Sequence, residues 1–184
     1  MALTKLNYTG QGTIPASRIS AGSIDLTSKV TGILPSANGG SVTSPIFKLN
    51  PTGSHTITNN SSTTVPLSVA AIDTHNLHNS SNYTITFTAA TAGIYFISGT
   101  ARLLYSPTRF RVFININDSN VFTNEETTNG NAGGGSYQST NANTIQTVSS
   151  GDVLKMRIYF LATANQSLYP SPDSVELSGF RIGI

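Results

Sequence analysis

The sequence predicts an all-β protein, a sandwich or barrel of short strands, carried behind an extended N-terminal arm. Three observations predict it. Apolar residues recur with a period of two in several segments beyond residue 80, the signature of half-buried strands. Clusters of Gly, Pro, Asn, Asp and Ser separate those segments, as turns require. No segment shows the i, i+3, i+4 spacing of a convincing amphipathic helix.

Composition fits this class. The 184 residues suit one compact domain plus an arm. Charged residues make up only 10%, against about 25% in an average soluble domain. Ser, Thr, Asn and Gly fill the gap and give the neutral polar surface common in extracellular β-fibres and virion proteins. The formal charge is +2, and the 10 basic residues are scattered, with Arg109 and Arg111 the tight pair. A phosphate-tracking surface needs clustered Lys and Arg, so no nucleic-acid partner is expected. Without cysteine there is neither a disulfide nor a thiolate metal site. No signal peptide or membrane-spanning apolar run is visible, so no membrane partner is expected.

Residues 1–45 read as the arm. Hydrophobic residues there are sparse and unpatterned, and Gly and Pro recur from Gly10 to Pro45. Such a segment buries too little surface alone to offset its ordering entropy. Residues 46–64 read as a linker with a short strand at Ile46–Leu49. The head then runs over 65–184. Its expected strands are Val65–Ile72, Tyr83–Thr88, Ile94–Tyr105, Arg109–Ile116, Val121–Thr123, Ser139–Val148, Val153–Leu161 and Val175–Ile184. The alternation sends Tyr95, Ile97, Ala101, Leu103 and Tyr105 to one face. It does the same for Phe110, Val112, Ile114 and Ile116, opposite Arg109, Arg111 and Asn115, and for Leu154, Met156, Ile158 and Phe160. Asn117–Asn120 is a hairpin turn, because Asn and Asp tolerate positive φ. Thr127–Ser136 is a Gly/Asn-rich loop and Ala162–Ser174 a long polar one.

Catalytic chemistry is not expected. Asp25, Asp73, Asp118, Asp152 and Asp173 fall in arms, loops or turns. Glu125 and Glu126 are neighbours on an expected loop, a poor carboxylate dyad for glycoside hydrolysis. The sequence Asp73-Thr-His-Asn-Leu-His78 is the strongest metal candidate, but H-x-x-H without a helix or a third fixed ligand reads as a polar loop. His55 reads as loop too. Gly133-Gly-Gly-Ser136 lacks the strand, helix and Lys of a phosphate cradle. No cofactor and no metal are expected.

Three segments carry a family resemblance: Phe87–Ser98 with its Ala92-Gly93 turn, Val148–Leu154 with Ser150-Gly-Asp152, and Val175–Phe180 with Leu177-Ser-Gly-Phe180. In this order they resemble the globular head of complement and its relatives in the tumour-necrosis-factor superfamily. The resemblance spans residues 65–184 and implies a jelly-roll β-sandwich forming a homotrimer. It implies that Gly93 and Gly179 stand where the chain approaches closely, and that Tyr95, Tyr159 and Phe180 are core or trimer-axis aromatics. Asn124–Gln138 departs from the family pattern, and the acidic calcium loops of some relatives are not evident.

The arm carries a second resemblance. Gly12-Thr-Ile-Pro-Ala-Ser-Arg-Ile19 and Gly32–Gly40 form an imperfect repeat around Ile24–Gly32. This is similar to segments of bacteriophage tail-fibre and related virion proteins that link or intertwine three chains. The two resemblances together imply a virion structural protein whose arm meets other virion proteins of the tail, neck or capsid, with a trimeric head, fibre or adhesin-like, contacting the host. The alternative is a capsid decoration (cement) protein at threefold sites. Host cell-surface glycan is a candidate ligand of the head, with Tyr105, Arg109, Asn165, Gln166 and Tyr169 as candidate contacts on loops.

Overall fold

The computed structural model describes residues 44–104, 107–127, 137–169 and 174–184, with the backbone alone at 126 and 127. The expected arm lies outside them save for Ser44 and Pro45, as do Tyr105 and the Gly-rich stretch at 128–136. The strands are β1 Ile46–Asn50, β2 Thr56–Ile57, β3 Thr63–Thr64, β4 Val69–Asp73, β5 His78–Asn79, β6 Thr84–Thr86, β7 Gly93–Leu103, β8 Arg109–Ile116, β9 Ser119–Thr127, β10 Gln138–Val148, β11 Val153–Leu161, β12 Gln166–Ser167 and β13 Glu176–Gly183. No helix occurs among the described residues.

Two sheets form a sandwich. One has five strands in the order β10-β7-β13-β1-β4, and the other six in the order β5-β6-β11-β8-β9 with β3 also on β11 and a short β12-β2 pair apart from both. The long strands pair antiparallel throughout. The chain crosses between sheets at each of the connections β6–β7, β7–β8, β9–β10, β10–β11 and β11–β13, the winding of a jelly roll.

Alternation places the core between the sheets. Tyr95, Ile97, Ala101 and Leu103 of β7 face Phe110, Val112 and Ile114 of β8 and Leu154, Met156, Ile158 and Phe160 of β11, all fully buried. Phe47, Phe87 and Tyr95 form an aromatic cluster, with the Phe87 and Tyr95 rings edge-on at 4.9 Å between centroids. The Tyr95 hydroxyl donates to the Thr91 carbonyl at 2.6 Å, which satisfies the one polar atom that the ring brings inside. Burial pushes the Tyr95 phenol above its ordinary pKa, with Arg181 opposing in part.

Two glycines confirm the expected close approaches. Gly179 pairs with Phe47 across β13 and β1, and a Cβ on it would run into the Phe47 ring. Gly93 has φ +147°, and a Cβ there would strike the Gly183 carbonyl oxygen. The hairpin between β8 and β9 turns on Asn117 (φ 51°) and Asp118 (φ 64°), the two positive-φ residues of a type I′ turn.

Several expectations are corrected. Residues 46–64 are not a linker: β1 is an internal strand of the five-stranded sheet, because Phe47 and Leu49 alternate inward. The expected strand Val65–Ile72 begins only at Val69; Val65 and Leu67 are buried but outside any ladder. Tyr83–Thr88 contributes three paired residues. Glu125 and Glu126 lie on β9, which runs to Thr127, rather than on a loop. Within the expected polar loop 162–174, β12 pairs with β2 and Leu168 is buried.

The connections sort to two ends. One end holds the short turns at 88–92, 117–118 and 149–152 together with the start of β1, where the Ser44 hydroxyl donates to the Arg181 carbonyl. The other end holds the ends of β7, β9 and β11 and the starts of β8, β10 and β13.

Candidate functional site

The carboxylates come first, since hydrolytic chemistry would need them. Each one whose side chain is described is already engaged. Asp73 accepts hydrogen bonds from the backbone N–H groups of His75 (3.3 Å), Leu77 (3.0 Å) and His78 (2.9 Å), so it orders its own turn. The two histidines of that turn are also occupied, His75 Nδ1 with the Thr74 hydroxyl and His78 Nε2 with the Leu67 carbonyl, both at 2.8 Å. Asp152 accepts from the Ser149 N–H and the Asn117 side chain. Asp118 pairs with Lys155, whose hydrogen bond and charge hold its carboxyl below the ordinary value. Glu125 bridges Arg109 (2.7 Å) and Arg111 (2.6 Å), and Glu176 pairs with Lys48 at 3.0 Å. Among the described residues no three His, Asp or Glu side chains converge as a metal site would require. Asp25 and Asp173 lie outside the described residues.

The outer face of the five-stranded sheet is graded. The register aligns Ile145, Phe96, Phe180 and Ile46 in one row across four strands, all outward. Ile145 is 61% exposed, Phe180 46% and Ile46 41%, and the Phe96 and Phe180 rings lie 5.5 Å apart. Ile182 extends the patch. Two residues further along each strand, the row is Asn143, Ser98, Ser178 and Lys48, with the exposed Ile72 of β4 beside Lys48. The next holds Asn141, Thr100 and Glu176, and the last Ser139 and Arg102. Along β10, β7 and β13 the face thus passes from the apolar row to polar rows and ends at Arg102, six residues of β7 or roughly 20 Å at the strand rise, with the Lys48–Glu176 ion pair between the two ends.

At the charged end, three side chains from separate elements meet. The Arg102 guanidinium lies 4.4 Å from the Tyr137 ring and 4.8 Å from the Tyr169 ring, while the two rings pack edge-on at 5.0 Å. The Tyr169 N–H donates to the Arg102 carbonyl at 2.8 Å and fixes the backbone of the cluster.

The six-stranded sheet presents a different outer face. Arg109 and Arg111 share Glu125, Arg111 lies 5.7 Å from the Tyr159 ring, and the Tyr159 hydroxyl donates to Asn60 Oδ1. Arg157 donates to the Ser62 carbonyl. Asn115 has outward parity but is fully buried, donating to Asn120 Oδ1 at 3.1 Å.

The candidate contact residues therefore do not form one site. Arg109 is exposed and engaged with Glu125, on the six-stranded sheet. Asn165 accepts from the Asn59 N–H and braces the segment before β3. Gln166 is buried on β12. Tyr169 belongs to the Arg102 cluster, and Tyr105 lies outside the described residues. The three aromatics part likewise: Tyr95 is core, Tyr159 half-buried on the outer face of the six-stranded sheet, and Phe180 in the exposed apolar row. Arg102 and Tyr137 escaped sequence reasoning. The available signal was the outward parity of Arg102 beside Ser139, two residues after Tyr137.

No model of a known protein family matches the sequence, and no curated protein sequence matches it. Solved structures do match in fold. Murine APRIL superposes with a TM-score of 0.59 at 14% identity, covering 76% of this chain and 99% of its own. The Eiger TNF of S. frugiperda gives 0.59 at 10% identity, over 76% and 92%. The globular domain of the zebrafish complement 1qA protein gives 0.54 at 12% identity, over 76% and 97%. The chain shares the jelly-roll fold of these domains, and at such identities the likeness is one of fold.

Proposed function

We propose that this chain is a non-enzymatic structural protein of a bacteriophage virion, a homotrimer whose jelly-roll head contacts the host surface while residues 1–45 join it to other virion proteins. The apolar row Ile145–Phe96–Phe180–Ile46 carries the trimer. A monomer would leave this row in water, and burying a side chain of Phe or Ile size is worth about 1.5–3 kcal/mol. Contiguous exposed apolar surface marks contact sites, and a second and third copy of the same chain can cover it in closed symmetry. The resemblance of the arm to virion segments supports the phage assignment. The engagement of every described carboxylate in turns and ion pairs supports binding rather than hydrolysis. Three heads on one particle bind with avidity that a single head lacks.

The test has two parts. Light scattering of the purified protein gives a mass three times that of the chain; a monomer at micromolar concentration sinks the reading. Quantitative mass spectrometry of virions then counts copies. A few trimers per particle support the host-contact head, whereas a ratio near one per few capsid subunits, with capsids weakened by loss of the protein, identifies a decoration protein instead.

A further inference from the structure

We propose that Arg102, Tyr137 and Tyr169 form a binding site for a carboxylate-bearing sugar; this rests on the reading of the head as a host-contact module and names its ligand chemistry. The argument starts from the partners of the arginines. Among the described residues, Arg109 and Arg111 bind Glu125, Arg157 donates to the Ser62 carbonyl, and Arg181 donates to the carbonyls of Ala90 and Ala92. Arg102 differs. Its guanidinium meets two aromatic rings and, among the described residues, no anion and no acceptor. The carboxylate nearest to it in register on the same face, Glu176, is taken by Lys48.

The geometry suits an incoming oxyanion. The three centres form a near-equilateral triangle of 4.4, 4.8 and 5.0 Å, so the guanidinium sits in the crook of two perpendicular rings. Cation–π contact restrains the guanidinium without using its N–H hydrogen-bonding capacity, which stays available to an acceptor. The N–H edge of a guanidinium is a fork matched to a carboxylate, two parallel hydrogen bonds in one plane. Because the rings hold it in place, little rotamer freedom is lost on binding.

The surroundings suit a saccharide. Tyr137 is 49% exposed, and an exposed tyrosine ring can take the C–H side of a sugar. The neighbouring outward residues Ser139, Asn141 and Thr100 are neutral hydrogen-bonding groups that match hydroxyls. The cluster stands about 20 Å along β7 from the apolar row, so a partner covering that row need not cover the cluster.

The chain has seven tyrosines and no tryptophan, so tyrosine fluorescence reports directly on ring contact. The full-length protein is titrated with a hyaluronan tetrasaccharide, with a neutral maltotetraose, and with sodium acetate and inorganic phosphate. The uronate-bearing oligosaccharide should give a saturable change that maltotetraose does not, weakening as salt is raised. Arg102→Gln should weaken it about tenfold or more, and Arg102→Lys less, because a point charge replaces the fork. Tyr137→Ala should weaken the oligosaccharide but not acetate, and thermal melting verifies that each variant is folded. Equal binding of the neutral sugar, no binding of the uronate, or an Arg102→Gln protein that binds unchanged overturns the site. Acetate or phosphate binding as tightly as the oligosaccharide overturns the sugar assignment. Host-cell adsorption separates the two proposals: undiminished adsorption of Arg102→Gln removes this site and keeps the host-contact head, whereas uronate binding without adsorption does the reverse.

Discussion

The two outer faces of this sandwich meet water under different rules. On the six-stranded sheet, most charged and polar outward side chains engage one another: Glu125 holds two arginines, Lys155 holds Asp118, and Tyr159 is fixed by Asn60, while Leu161 and Phe122 are exposed singly. On the five-stranded sheet, the half near Ser44 leaves Ile46, Phe180, Ile145 and Ile182 exposed. Both faces follow the same alternation, so periodicity does not explain the difference. A sheet face that ends in water gains by polar substitution; one that ends against another chain gains by apolar substitution. On the proposed reading, the first face is finished and the second is the one a partner copy covers.

The largest expected effect breaks this contrast directly. Phe180→Glu places a charge in the apolar row and should convert the oligomer to monomer in light scattering, with the fold retained. Tyr159→Glu on the other sheet should leave the mass unchanged. If both variants behave alike, the faces are equivalent and the contrast fails.

Next in size is Gly179→Ala, one residue from Phe180 but facing inward. The added methyl meets the Phe47 ring, and overpacking of this kind costs about 1–3 kcal/mol. Thermal melting should fall while the oligomeric state below the transition is preserved, so neighbouring positions on one strand separate folding from assembly.

A smaller effect is expected at Tyr95. Its phenol is held above the ordinary value by burial. The folded state therefore favours the protonated form: its stabilisation is complete below the unfolded pKa, near 10, and is lost as pH rises through the higher folded value. Tyr95→Phe should lower stability by about 1 kcal/mol through loss of the bond to Thr91, and denaturant melts above pH 10 should lose part of their pH dependence. A wild-type protein whose stability is flat through that range would contradict it.

The smallest effect concerns the finished face. Asp118 has a lowered pKa through Lys155. Its contribution is present above the ordinary carboxylate value and lost as pH falls through the lower folded one. Asp118→Asn should flatten a shallow acid-side slope, and the slope should also shrink in high salt because the pair is exposed.

Much of the fold was legible in the sequence for identifiable reasons. The inward residues of the central strands β7, β8 and β11 are those the period of two assigns, although the outward-parity Phe113 and Asn115 of β8 are buried as well. The Asn117-Asp118 turn announced itself because few residue pairs accept two positive φ values. The short strands β2, β3, β5 and β12 were not legible. With two residues each they have no periodicity, and they exist because distant segments offer them a ladder, as Ile57 does for Gln166. Val65–Ile72 misled for a related reason: its apolar residues are buried by packing without joining a strand until Val69.

The candidate site was legible only in part. Tyr169 was found as a loop aromatic, but Asn165 and Gln166 beside it are structural, and Arg102 and Tyr137 looked like ordinary strand and loop residues. Parity and local φ preference are enough for the all-β class, the inward faces of the long strands and the hairpin at 117–118. It took the packing of the whole sandwich to bring four apolar residues from four strands into one row and, among the described residues, to give Arg102 two rings and no anion. Parity says which side of its own strand a residue takes. It does not say which residues of other strands stand beside it, and that register follows from how the whole sandwich packs.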